Sequence, residues 1–93
     1  MTEFLGELYV PRAHAVAVEA DEARVRAAAA ELTREGRPIH VLRTIFVPED
    51  ESCFYLFEAT SAGAVREVGA RAALLFDRVS TSWRRPNQRG ESK

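Results

Sequence analysis

The chain has 93 residues, 46% hydrophobic and 29% charged, with a formal net charge of −1 and a pI near 6.1. Those values describe one small globular domain and argue against a nucleic-acid binder. The single cysteine, Cys53, excludes an internal disulfide, no apolar run approaches the ~18 residues of a membrane span, and the opening MTEFLGELYVPR has an early acid and no basic flank; a reducing cytoplasm is the expected location.

In chain order, EFLGELYV (3–10) alternates as a strand does. Leu5, Glu7 and Tyr9 fall on one face, Phe4, Gly6, Leu8 and Val10 on the other, and Pro11 ends the ladder because it has no N–H to donate. Residues 15–36 follow with helical spacing. Val18, Val25, Ala28, Ala29 and Leu32 form one apolar stripe, and Gly36 sits where a helix is commonly closed. PIHVLRTIFV (38–47) is a second strand, with Ile39, Val41 and Ile45 expected on one side and Leu42 and Phe46 on the other. PEDES (48–52) cannot form core and reads as a turn, so CFYLFEA (53–59) completes a hairpin.

Ser61 is a fair N-cap for a second helix over 62–74, with a short stripe of Val65, Val68 and Ala72. Gly63 and Gly69 should each weaken it by about 1 kcal/mol relative to alanine. FDRVSTSW (76–83) is the fourth strand, where Trp83 is expected to pack on the sheet edge. The tail 84–93 carries Arg84, Arg85, Arg89 and Lys93 against Glu91, a net +3, and is expected to be unstructured beyond a single domain over 1–83.

The order β-α-β-β-α-β predicts an α+β, ferredoxin-like fold: a four-stranded antiparallel sheet with both helices on one face. Two helices cover one face only, yet the second and third strands are apolar on both. Cys53, Tyr55 and Phe57 alternate with Phe54, Leu56 and Glu58. An uncovered apolar face implies an interface, and a sheet-to-sheet homodimer is expected.

Polar groups interrupt these strands. Glu7, Tyr9, Arg43 and Glu58 form a polar cluster in an apolar cleft if they share the covered face. One hairpin register sets Arg43 opposite Glu58, and a slip of one residue separates them. Buried charge is costly unless paired, so Arg43 is expected to have an acidic partner.

FVPEDESCFYLFEATSAGAVREVGARAALLFDRV (46–79), together with EFLGELYV, resembles the nickel-binding-protein-like family of small actinobacterial ferredoxin-fold domains, over roughly residues 3–80. The resemblance implies the same fold, a dimer and, in some members, bound nickel. Metal-binding members tend to carry histidine in the second helix and in the turn after it. Here those places hold Gly69 and Ala73, Leu74, Leu75. The remaining candidate metal ligands are His14, His40 and Cys53, with no close ligand spacing between them, beside Glu7 and Glu58.

No P-loop, CxxC, HExxH or nucleophile motif is present. The leading expectation is a small dimeric binding protein for a small molecule or metal. The alternatives are a cofactor-free isomerase or cyclase in the dimer cleft, with Glu58 or Glu7 as base and Tyr9 or His40 as acid, and a protein-interaction module.

Overall fold

A computed structural model describes residues 1–82. Trp83 and the tail 84–93 lie outside them. Strands β1 (Thr2–Tyr9), β2 (Ile39–Val47), β3 (Ser52–Ala59) and β4 (Arg78–Ser82) form one antiparallel sheet in the order β2-β3-β1-β4. Helices α1 (Val18–Arg34) and α2 (Ala62–Arg71) are the two crossovers. Both pack on the face carrying Phe4, Leu8, Cys53, Tyr55 and Phe57. Val25, Leu32, Val65 and Val68 supply the helix side of that core and are fully buried. Burying such side chains is worth roughly 1.5–3 kcal/mol each.

Alternation explains the strands, and local chemistry explains the helix ends. A short 3-10 turn, Arg12–Ala17, precedes α1, so the helix starts at Val18, the first residue of the apolar stripe, and not at residue 15. No capping side chain stands at Ala17, and Glu19 and Asp21 in the first turn complement the helix dipole instead. At the other end Gly36 (φ 93°) closes a Schellman motif, with Arg37 N–H donating to Leu32 O at 3.0 Å and Gly36 N–H to Thr33 O at 3.0 Å.

Helix α2 is shorter than the sequence suggests and ends in the same way. Ser61 caps its start, accepting from Ala64 N–H at 3.2 Å. Leu74 N–H then donates to Gly69 O at 2.8 Å and Ala73 N–H to Ala70 O at 3.1 Å, with Ala73 left-handed at φ 62°. Thus alanine occupies the left-handed position and glycine lies one turn earlier. Packing explains the exchange. A Cβ at Gly69 would lie 2.6 Å from Leu74 O and 3.0 Å from the Phe76 ring. Phe76 precedes β4 rather than belonging to it. It rests on Gly6 and Gly69 and meets Tyr55 and Phe57 at ring-centroid distances of 5.8 and 5.9 Å.

The hairpin register differs from the expected one. A bulge between Val41 and Arg43 sets His40 opposite Glu58 and Arg43 opposite Leu56. It also reverses the facing of the rest of β2. Ile39 and Val41 lie over the core as expected, but Thr44 and Phe46 join them, opposite Tyr55 and Cys53, while Ile45 moves to the far face opposite Phe54. Thr44 Oγ1 is consequently buried without a hydrogen-bond partner among the described residues.

The helices are also tied to each other through charge. Arg71 reaches Glu67 on its own helix and Glu31 and Glu35 on α1, at 2.9, 3.0 and 2.9 Å. The Arg71 hydrogen bonds hold the Glu35 carboxyl below its ordinary pKa.

Candidate functional site

The face of the sheet away from the helices is the candidate site. The register places its residues in rows across the strands in the order β2, β3, β1, β4. One end row reads His40, Glu58, Glu3, Ser82; next come Arg43, Leu56, Leu5, Ser80; then Ile45, Phe54, Glu7, Arg78; and last Val47, Ser52, Tyr9. Leu5, Phe54, Leu56, Ile45 and Val47 are therefore contiguous. None of them belongs to the buried core, and Ile45 is 41% exposed. Charged residues of both signs surround them.

Glu7, Tyr9, Arg43 and Glu58 all lie on this open face rather than the helix-covered one, and they do not form one cluster. Glu7 is paired across the edge with Arg78 at 4.0 Å. Tyr9 stands at the end of β1, where its hydroxyl donates to Glu51 Oε1 at 3.2 Å. The Glu51 charge, then partial desolvation, pushes the Tyr9 hydroxyl above its ordinary pKa. Arg43 makes no hydrogen bond or ion pair with a described residue. The register sets Arg43 opposite Leu56, one row away from Glu58, and an exposed guanidinium needs no acidic partner. Among the described residues His40 and Glu58 bring a candidate acid and base side by side, as cross-strand neighbours at one end of the sheet, while Glu7 and Tyr9 are engaged with Arg78 and Glu51.

The metal candidates are also apart. His14 lies exposed in the 3-10 turn before α1, and His40 lies at the rim of the open face. Cys53 points into the core, 1% exposed, and burial pushes its thiol above the ordinary pKa. No three His, Cys, Asp or Glu side chains among the described residues come together as a metal site. The donors among the described residues of one chain do not fit a nickel ion, which favours several imidazole or thiolate ligands at once.

The fold behind this surface has a solved counterpart. The crystal structure of SCO4226 from Streptomyces coelicolor A3(2) superimposes with a TM-score of 0.75 at 17% identity, covering 89% of this chain and 98% of that one. The fold is ferredoxin-like. At that identity the likeness speaks for the architecture alone. No protein-family model matches the chain, and neither does any curated protein. No helix among the described residues is long and apolar enough to cross a membrane.

Two residues near the site carry more than the sequence suggests. Thr33 is one: its hydroxyl donates to Ile39 O at 3.0 Å and accepts from Ile39 N–H at 3.1 Å, closing part of the β2 edge. The other is Glu51, within the stretch read only as a turn. It is left-handed at φ 52°, its carbonyl accepts from Val10 N–H at 2.9 Å, and its carboxylate accepts from Arg12 N–H at 2.7 Å and from Tyr9. One residue of the hairpin thus holds the chain leaving β1. Glu51 is the third acid of a proline-headed turn, and spacing alone does not set it apart from Glu49 and Asp50.

The Arg12 N–H, chiefly, keeps the Glu51 carboxyl below its ordinary pKa. A depressed folded pKa means stability that is present above the unfolded value of about 4.3 and lost as pH falls through the folded value. Glu51→Gln is therefore expected to lower the thermal midpoint at neutral pH, with the gap from wild type closing as the pH drops below about 4. Thermal melts across pH read this directly. A constant gap at all pH values would show that the charge of Glu51 is not what holds the strap.

Proposed function

We propose that the protein is a small binding protein that works as a homodimer, the open faces of two sheets packing across a twofold axis. The observation that carries this reading is the contiguous apolar patch of Leu5, Phe54, Leu56, Ile45 and Val47 on a face that no helix covers. Patches of that kind on small domains mark interfaces or ligand surfaces. The rim favours a second copy as the occupant. It carries His40, Arg43 and Arg78 beside Glu3, Glu7 and Glu58, so the same face offers complementary charges to itself.

A binding role fits the separated polar groups better than catalysis does. Glu7 and Tyr9 are each engaged locally, and the adjacent candidate acid and base, His40 and Glu58, sit at the rim of the open face. Nickel, which the family resemblance implies, would require donors from both copies, because one chain brings no three together among the described residues. Native mass spectrometry, without added metal and then with nickel, tests both parts. The expected species is a dimer. Added mass on nickel exposure would place a metal site at the interface, and a dimer that ignores nickel would leave an organic ligand. A bare monomer at micromolar concentration would overturn the reading.

A further inference from the structure

A second concavity lies away from the open face, where α1 crosses the outer edge of the sheet. Strand β2 ends the sheet there, with no strand beyond it among the described residues. The helix presents Ala29 and Ala30, single methyl groups, toward Ile39 and Val41, leaving a groove of about 410 Å³. Small-ligand pockets typically span roughly 300–1,000 Å³.

The groove's polar inventory narrows its occupant. The edge groups of β2 are already used within the chain: Thr33 bonds both the N–H and the C=O of Ile39, and Arg26 Nη1 donates to Val41 O at 3.2 Å. A peptide strand adding along 39–41 would have to break those bonds, so main-chain pairing is not how this groove recognises anything. What remains is the apolar floor and charge. The charged and ionisable lining residues are Arg26, Arg34 and His40, with no acid among them. Arg26 is committed to Val41 and to Glu22, 3.0 Å away. Arg34 makes no hydrogen bond or ion pair with a described residue, and it stands in the last turn of α1 directly over the groove.

We propose that this groove binds a small organic monoanion with an apolar body, such as an aryl or short-chain carboxylate. Arg34 takes the carboxylate in a charge-assisted, bidentate contact, and the body lies on Ala30 and Val41, with Ala29 and Ile39 buried beneath them. One uncommitted guanidinium suits one negative charge. The carbonyl end of α1 opposes an anion, although Gly36 and Arg37 N–H already satisfy two of its carbonyls, so the expected affinity is millimolar. The site meets the rim of the proposed dimer face only at His40 and shares none of its apolar patch, and Arg34 and Ala30 lie on α1, off that face.

Phenylacetate is a suitable probe, with neutral phenylacetamide as its control, followed by 15N–1H NMR on the full chain. The expected result is saturable shifts confined to amides of Ala29, Ala30, Thr33, Arg34, Ile39 and His40. Binding should weaken about tenfold or more for the amide and for Arg34→Gln, the loss of one charge-assisted contact. Ala30→Leu, at an exposed position, should fill the groove and abolish the shifts while leaving the spectrum folded. Shifts centred on Phe54 and Leu56, equal binding of acid and amide, binding that survives Arg34→Gln, or no saturable shift at millimolar probe would each overturn the proposal.

Discussion

Gly69→Ala is expected to destabilise the fold by up to about 2 kcal/mol, although alanine is the better helix former. Helix propensity alone predicts a gain of about 1 kcal/mol. Packing acts the other way. The new Cβ would stand 2.6 Å from the Leu74 carbonyl oxygen and 3.0 Å from the Phe76 ring. The oxygen is backbone within the Schellman closure, held by the turn that sends the chain back to β4. Relieving the clash means opening that turn or lifting Phe76 off Tyr55 and Phe57. Overpacking of this kind costs roughly 1–3 kcal/mol and occasionally more, and here it must also offset the propensity gain. For a domain of 93 residues the total stability is of order 5–14 kcal/mol, so the loss is a large share.

Gly63→Ala provides the internal control. Its Cβ would meet only Ser61 Oγ, at 3.7 Å, an ordinary contact. The same substitution in the same helix is therefore expected to be neutral or to stabilise by up to ~1 kcal/mol. Urea denaturation with an unchanged m-value reads both. If Gly69→Ala stabilised the protein as Gly63→Ala is expected to, the seat for Phe76 would not be rigid.

The contrast between these glycines also shows where sequence reading reaches its limit. Both look alike locally, as weak points in a short helix. What distinguishes them is the return of Leu74 and Phe76 onto one of them, which is tertiary and has no period. The element order was legible because alternation and the helical stripe are local, and Gly36 was legible because a closing glycine follows its own helix. The hairpin register was not, since one extra residue near Leu42 reverses the facing of everything after it without changing composition. That single residue put Arg43 on the open face and Ile45 rather than Phe46 beside it, and the pairing of Val47 with Ser52 at the turn set Arg43 opposite Leu56 instead of Glu58. The groove under α1 was equally hidden. Alanines at 29 and 30 read as helix formers, and only their position over the last strand makes them the wall of a cavity.

Leu56→Glu is expected to separate the proposed dimer by orders of magnitude in Kd while leaving the monomer folded. Leu56 lies near the centre of the open face, between Leu5 on β1 and Arg43 on β2, and is half-buried. In a single chain a carboxylate there remains hydrated and gains Arg43 as its cross-strand neighbour, so the cost to folding should be within about 0.5 kcal/mol. In a sheet-to-sheet dimer the twofold axis brings the substitution in twice, and each carboxylate must leave water. Burying an inadequately paired charge costs several kcal/mol, and Arg43 of the same chain recovers only part of that. The two states thus respond differently to one change. Sedimentation should show a monomer, and circular dichroism with thermal melts at low concentration should show an intact domain. A variant that stays dimeric would mean that the second copy packs elsewhere. If the fold itself collapsed, Leu56 would have to belong to the core, which its place on the face away from both helices argues against.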